Sequence, residues 1–189
     1  MARPTTAARR YAEAAFEVAL RDGTVEAWRR DLPLAAKGVG DERVMSVLTN
    51  PAIPLAARTA VLTEALAAAA RAAASPAVSH PTQNLVLLLL HRGRIDLLSR
   101  VAGEFKRLDD RRLGITPATA TSAAPLEPGE VGGLTDRLEK LTGGRVELDL
   151  QVDPGILGGL IVRVGDRLID GSVRGRLERL RNRLAPGAL

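Results

Sequence analysis

The sequence predicts a mainly α-helical protein, in which an N-terminal bundle of six helices precedes a small α/β domain with a mixed sheet and a terminal helix. Up to about residue 112, apolar residues recur at spacings of three and four, which is typical of amphipathic helices. Beyond that point, stretches of strictly alternating apolar and polar residues appear, which is typical of half-buried strands. We therefore expect two domains, at 1–112 and 113–189.

The composition is that of a globular protein, with 46% hydrophobic and 26% charged residues. The absence of cysteine excludes disulfides and cysteine-ligated metal sites. The longest apolar run, at 85–90, is far shorter than the roughly 20 residues that cross a bilayer, so we expect no insertion into a membrane. The net charge of +5 arises in residues 1–112, which hold 17 basic and 12 acidic side chains, and not in the arginine-rich C-terminal segment.

Glycine, proline and capping residues separate the six predicted helices of the first domain. These helices run from about Thr6 to Arg21, from Thr24, from Asp41 to Asn50, from Pro54 to about Ala74, from Pro81 to Gly93, and from Arg94 to about Arg112. Pro33 falls inside the second helix, where we expect a kink or a break because proline cannot donate to the preceding turn.

The second domain begins with a strand at 115–122, followed by a helix that carries Leu134 and Leu138. In the next strand, at 145–152, the apolar residues are expected to form one half-buried face. They are Val146, Leu148, Leu150 and Val152. Gly165-Asp166 fits a two-residue hairpin turn between two further strands.

The terminal helix carries five arginines beside a stripe of apolar residues, and Ser172 is placed to cap it. The stripe consists of Val173, Leu177, Leu180 and Leu184. One interpretation is that the stripe docks on the sheet while the arginines remain in water. A basic nucleic-acid-binding module that uses these arginines is the alternative, although no aromatic stacking platform accompanies them.

The sequence contains no recognisable catalytic constellation, and we predict neither an enzyme nor a cofactor or metal site. There is no phosphate-binding loop of the GxxxxGK[ST] type. The only histidines, His80 and His91, lack the spacing of zinc ligands. The neighbouring Asp109 and Asp110 point about 100° apart on a helix and are interpreted as solvated charges or a helix-end interaction.

Two helices of the first domain indicate a surface for a partner. The first helix has small residues along one face, and the fifth is apolar nearly all round. A helix that is apolar all round, such as the fifth, must be covered on more than one side. It therefore lies at the centre of the bundle, or one side faces a groove that accepts a partner's amphipathic helix.

Three stretches carry a resemblance to a known family. They are RRYAEAAFEVA, QNLVLLLLHRGRIDLLSRVAGEFKRLDD and VDPGILGGLIVRVGDRLIDGSVRGRLERLRNRL. They resemble the delta subunit of F-type ATP synthases, a family related to the mitochondrial oligomycin-sensitivity-conferring protein. The resemblance implies a non-catalytic stator subunit, present in one copy per complex, which resists rotor torque during proton-driven ATP synthesis. It also implies a peripheral position on the cytoplasmic face of a bacterial cell membrane, with no nucleic-acid partner.

The resemblance further implies two protein partners, each bound by one domain. The N-terminal helix of an alpha subunit would lie between the first and fifth helices, against Tyr11, Ala14, Ala15, Val18, Leu85, Leu88, Leu89 and Arg92. The C-terminal end of the stalk subunit b would bind the second domain. Residues expected to build that domain or contact the stalk are Gly158, Gly159, Gly165, Asp166, Asp170, Gly171, Ser172, Arg174 and Arg176.

Overall fold

The structure is a computed structural model that describes residues 4–184, with side chains from Thr6 to Arg181. The chain divides into two compact units, Met1–Asp109 and Asp110–Leu189, called here the first and second units. A mainly helical chain with a small mixed sheet and a terminal helix confirms the predicted fold class.

The first unit is built from six helices. They are α1 (Pro4–Arg21), α2 (Val25–Val39), α3 (Glu42–Thr49), α4 (Leu55–Ala72), α5 (His80–His91) and α6 (Leu98–Arg112), whose last turn extends into the second unit. A 3-10 turn at Ile95–Leu97 precedes α6. As predicted, Asp41 caps α3, because its carboxylate accepts hydrogen bonds from the backbone N–H groups of Arg43 and Val44.

Helix α2 remains a single helix through Pro33, so the predicted break does not occur. The ring of Pro33 is exposed, whereas Trp28, Leu32 and Ala35 on the opposite side are buried in the core. Burial of this apolar face outweighs the loss of one backbone hydrogen bond, which explains the continuity of the helix.

Small residues allow α2 and α4 to approach closely. A Cβ atom placed on Gly38 would lie 2.8 Å from the carbonyl oxygen of Ala65 and 3.0 Å from the Cβ of Ala69. The alanine-rich composition of α4 therefore has a packing role, because larger side chains at these positions would separate the two helices.

The second unit contains β1 (Ile115–Ser122), α7 (Pro128–Thr142), β2 (Arg145–Val152), β3 (Leu160–Val164), β4 (Arg167–Asp170) and α8 (Val173–Leu184). The sheet order is β2-β1-β3-β4, with β1 parallel to β2 and antiparallel to β3. Leu138 of α7 packs against Ala118 and Val164 on one face of the sheet. The predicted two-residue hairpin is present, with Gly165 at φ +55° between β3 and β4.

The predicted half-buried face of β2 is only partly covered. Val146 and Leu148 pack against the small core under α7, but Leu150 and Val152 are 42% and 51% exposed. Alternation identified the common face of these residues, but the helix above the sheet covers only one end of it.

Candidate protein-binding surfaces

The first candidate surface is a groove between α1 and α5, with a volume of about 330 Å³. The lining is almost wholly apolar, and Asn84 is its one side-chain amide. The lining residues are Tyr11, Ala14, Ala15, Val18, Trp28, Pro81, Asn84, Leu85 and Leu88. Small residues on α1 create the depression, because they leave space beside the larger leucines of α5.

The groove connects directly to the aromatic core of the first unit. The Trp28 ring lines the groove and also stacks on Phe105, with ring centroids 5.9 Å apart. Phe105 meets Phe16 edge-on at 5.3 Å. Such aromatic contacts stabilise a core beyond the effect of area alone, so the base of the groove is firmly held.

Two buried carboxylates fix the helices around the groove. Asp31 of α2 is fully buried and accepts a 2.8 Å hydrogen bond from the backbone N–H of Ser79, immediately before α5. It also pairs with Arg30 at 2.7 Å. Asp109 of α6 is likewise buried and pairs with Arg29 of α2 at 3.0 Å. Burial of Asp109 and of Asp110, which is only 3% exposed, contradicts the first of the two predicted interpretations, that of solvated charges.

The structure brings six of the eight predicted groove residues together in this lining: Tyr11, Ala14, Ala15, Val18, Leu85 and Leu88. Leu89 is fully buried in the core of the first unit, which contradicts its assignment to the groove. Arg92 follows the end of α5 and is not among the lining residues. Trp28 was missed because α2 takes no part in the sequence pattern that pointed to α1 and α5.

Several glycines of the second unit lie where β3, β4 and α8 meet. Gly159 has φ +77°, and a Cβ atom there would collide with the carbonyl oxygen of Gly171. Gly171 donates a 2.9 Å backbone hydrogen bond to Leu160, and the carbonyl of Gly158 accepts one from Val173. These glycines permit close approach of backbone segments, as the sequence suggested.

Asp170 and Ser172 form the cap of α8. The Ser172 hydroxyl accepts a 3.0 Å hydrogen bond from the N–H of Gly175, which confirms the predicted capping role. The hydroxyl of Ser172 donates to Asp170 at 2.7 Å, and its backbone N–H donates at 2.9 Å. Both hydrogen bonds lower the pKa of Asp170 below its ordinary value, and the bond from the hydroxyl has the larger effect.

The other predicted residues of this block lie on the surface. Asp166 is exposed in the hairpin turn after Gly165. Arg174 pairs with Glu178 at 3.2 Å, and both side chains are more than half exposed, so this pair contributes little to stability. Arg176 is also exposed.

The second candidate surface is the apolar stripe of α8, and it corrects a prediction. Val173, Leu177 and Leu180 are 43%, 54% and 52% exposed, so this stripe does not dock on the sheet. Leu184, the fourth predicted member, lies outside the residues whose side chains the structure describes. Leu157, beside the start of α8, is 69% exposed.

Among the described residues, no group of three or more His, Cys, Asp or Glu side chains is placed to hold a metal ion. No helix in the described range 4–184 has the length and apolar character needed to cross a membrane.

The sequence matches the ATP synthase delta (OSCP) subunit family over residues 7–184. The chain belongs to this family. It is 40% identical over 178 residues to the ATP synthase subunit delta of Anaeromyxobacter sp. (strain Fw109-5), covering 94% of this chain and 96% of that protein. It is 34% identical over 185 residues to the same subunit of Xanthomonas campestris pv. campestris (strain B100), covering 98% and 99% of the two chains.

The fold also matches a solved structure. A chain of the Toxoplasma gondii mitochondrial ATP synthase hexamer superposes with a TM-score of 0.68 at 23% identity, covering 94% of this chain and 96% of that chain. Membership of the ATP synthase delta (OSCP) family makes this chain a non-catalytic peripheral-stalk subunit of an F-type ATP synthase. These relatives give no support to the nucleic-acid alternative.

Proposed function

We propose that the chain ties two partners together, with the first unit on the catalytic head and the second unit on the peripheral stalk. The groove between α1 and α5 binds the N-terminal helix of an alpha subunit. The second unit binds the C-terminal segment of subunit b. One copy per complex, on the cytoplasmic face of the cell membrane, then resists rotation of the head during proton-driven ATP synthesis.

The observation that carries this proposal is an exposed leucine in the wall of an apolar groove. Leu88 is 42% exposed, although the neighbouring Leu89 and Leu90 are fully or almost fully buried. An apolar groove of about 330 Å³ between two helices has the form that accepts the apolar face of a third helix. Ala14 and Ala15 on one side and Leu85 and Leu88 on the other supply the two walls.

The contacts between the groove residues and the core support a torque-bearing role for this surface. A nanomolar contact corresponds to about 12 kcal/mol, which a short helix supplies only through a few well-packed anchors. Tyr11 and Leu85 are partly buried against the core, so they lose little side-chain freedom when a partner covers them. Trp28, which also lines the groove, stacks on Phe105 of the core.

The test is a titration of the full chain with a synthetic peptide that spans the N-terminal helix of the alpha subunit. Trp28 is the only tryptophan and lines the groove, so its emission reports occupancy, and calorimetry gives the stoichiometry. Leu88→Asp should weaken binding by about two orders of magnitude or more, because it buries a charge in an apolar contact. The bundle should stay folded, since Leu88 is already substantially exposed.

Leu20→Asp is the matched control, because Leu20 lies on α1, is 46% exposed and is not among the groove residues. It should bind the peptide as the unchanged chain does. Equal binding by the Leu88→Asp and Leu20→Asp variants would contradict the groove assignment, and so would a failure of the folded, unchanged chain to bind.

A further inference from the structure

The buried carboxylate of Asp31 has two partners, one on each oxygen. Oδ2 accepts a 2.8 Å hydrogen bond from the backbone N–H of Ser79. Oδ1 pairs with the guanidinium of Arg30 at 2.7 Å and 2.9 Å. The Arg30 side chain is 42% exposed, whereas Asp31 is fully buried. The contact with Ser79 is therefore the one that Asp31 makes to another helix's start, across 48 positions of the chain.

Ser79 is the residue from which α5 starts. Its carbonyl accepts the first hydrogen bond of the helix, from the N–H of Gln83 at 2.9 Å. Its hydroxyl lies 3.1 Å from the hydroxyl of Thr82, which is fully buried in the first turn of α5. The N–H groups at the start of a helix have no acceptor within that helix. Asp31 supplies one from α2 and so ties the start of α5 to α2.

The groove residues of α5 follow this contact closely. Pro81 lines the groove two positions after Ser79, and Leu85 lines it about one turn further on. On α2, Trp28 lines the groove and lies nearly one turn before Asp31. The contact between Asp31 and Ser79 therefore joins the helix that carries Trp28 to the helix that carries Leu85.

We propose that Asp31 is a positioning residue for the groove. By holding the N–H of Ser79, it sets the place of α5 against α2 at which the α5 wall fits the alpha-subunit helix. Asp31 is fully buried and does not itself touch the partner. The inference rests on the proposed binding of that helix in the groove and adds the residue on which the geometry of the groove depends. A wall held in place in the free chain spares binding the cost of ordering it.

Packing alone would not require a carboxylate at this position. Val86 and Leu89 of α5 are buried in the core of the first unit and hold the helix to the bundle by apolar contact. An apolar residue in place of Asp31 would add to that core without the cost of burying a charge. A hydrogen bond differs from apolar contact in that it fixes both distance and direction. The carboxylate therefore specifies where α5 begins, which the leucines do not.

The first experiment measures, by calorimetry, the affinity of the full chain for the peptide of the alpha-subunit N-terminal helix. Asp31→Ala should weaken binding about tenfold, because the N–H of Ser79 loses its acceptor and the α5 wall shifts. Asp31→Asn should restore the affinity to within about threefold of that of the unchanged chain. Its amide oxygen still accepts from Ser79, and the half-exposed Arg30 is free to turn into water.

Leu48→Ala is the matched control for loss of stability. Leu48 is buried in the core of the first unit, lies on α3 and is not among the groove residues. The substitution should lower the unfolding free energy, because it leaves a cavity in the core. It should leave the affinity of the folded chain for the peptide unchanged.

The second experiment needs no variant and therefore applies even if Asp31→Ala does not fold. If the bond to Asp31 favours the form of the groove that binds, binding must favour the bond in return, because coupling is reciprocal. Saturating alpha-subunit peptide should slow amide hydrogen exchange of Ser79 about tenfold. The amide of Gly171, which is bonded to Leu160 in the second unit, is the control and should not change.

The outcomes separate this inference from the function on which it rests. Weak binding by folded Asp31→Ala, with recovery in Asp31→Asn and normal binding by Leu48→Ala, supports the positioning role. Equal effects of Asp31→Ala and Leu48→Ala overturn it, and so does unchanged exchange of Ser79 on binding. Equal losses in Asp31→Asn and Asp31→Ala show that the bond to Ser79 is not the link, which also overturns it. Failure of the unchanged chain to bind the peptide overturns the proposed function and the inference together.

Discussion

The two units differ sharply in how much of their apolar surface they bury themselves. Among the described residues, the core of the first unit comprises 22 buried hydrophobic residues and that of the second only five. Of the large hydrophobic residues whose side chains the structure describes, three remain exposed in the first unit: Leu20, Leu55 and Leu88. Up to Arg181, where the described side chains end, ten remain exposed in the second unit: Leu113, Leu141, Leu150, Val152, Leu157, Leu168, Ile169, Val173, Leu177 and Leu180.

This difference indicates that the two units depend differently on their partners. Full burial of one large aliphatic side chain is worth about 1.5–3 kcal/mol. The first unit has already gained this free energy within its own core, and the groove between α1 and α5 adds only a small apolar surface to it. The second unit keeps many large aliphatic side chains exposed and has not gained the free energy of burying them. We therefore expect a partner to stabilise the second unit more than the first.

The largest expected effect concerns the aromatic core of the first unit. Phe105→Ala removes a ring that contacts both Phe16 and Trp28 and should cost about 3–5 kcal/mol of unfolding free energy. Leu138→Ala, in the small core of the second unit, should cost about 2–3 kcal/mol. Trp28 fluorescence follows unfolding of the first unit, and amide exchange in β1 follows the second. A larger cost for Leu138→Ala would reverse the comparison.

The next effect tests the close backbone approach in the second unit. Gly159→Ala should destabilise that unit by about 1–3 kcal/mol, because φ +77° strains an alanine and its Cβ collides with Gly171. Gly132→Ala, in α7 with no atom near the added Cβ, should be neutral or slightly stabilising. Amide exchange in β3 measures both variants, and equal exchange would show that the backbone approach at Gly159 does not limit stability.

A smaller effect tests the crossing of α2 and α4 in the first unit. Alanine normally stabilises a helix interior by up to about 1 kcal/mol relative to glycine. Gly38→Ala should nevertheless destabilise the bundle by about 1–2 kcal/mol, because its Cβ would lie 2.8 Å from the carbonyl of Ala65. Gly103→Ala in α6, where the added Cβ meets nothing, should show the normal gain. Urea unfolding followed by Trp28 fluorescence measures the change in unfolding free energy of both variants. A gain in stability for Gly38→Ala equal to that for Gly103→Ala would contradict the tight crossing.

The smallest effect is a pH dependence at the start of α8. Hydrogen bonds from Ser172 lower the pKa of Asp170 in the folded chain, so the ionised carboxylate stabilises this junction. That contribution is fully present above the ordinary aspartate pKa of about 3.9 and is lost as the pH falls through the lower folded value. Asp170→Asn should remove this part of the acid sensitivity. Identical acid profiles of amide protection at Gly175 in both proteins would contradict the assignment.

Periodicity predicted which residues share a face, but not what each face contacts. It correctly predicted amphipathic helices up to about residue 112, and Leu98 and Phe105 of α6 are buried in the core of the first unit. On α5, where neighbouring residues are all apolar, it could not separate exposed Leu88 from buried Leu89. It also identified the stripe of α8, but not that Val173, Leu177 and Leu180 remain about half exposed.

The interaction partners of the buried carboxylates could not be predicted from the sequence either. Asp109 and its partner Arg29 are 80 residues apart, so spacing along the chain could not predict their contact. The same holds for Asp31 and the backbone of Ser79, which are 48 residues apart. Only the folded bundle brings these carboxylates to the helices that form the groove.

The most direct measurement is a calorimetric titration of the full chain with both peptides, one from the N-terminal helix of the alpha subunit and one from the C-terminal segment of subunit b, in the presence of each other. If two surfaces on two units hold the two partners, each peptide binds one-to-one, and Leu88→Asp weakens binding of the alpha-subunit peptide by about two orders of magnitude or more without changing binding of the b peptide. Competition between the peptides for one site, or loss of both through Leu88→Asp, would contradict the proposed division of binding between the two units.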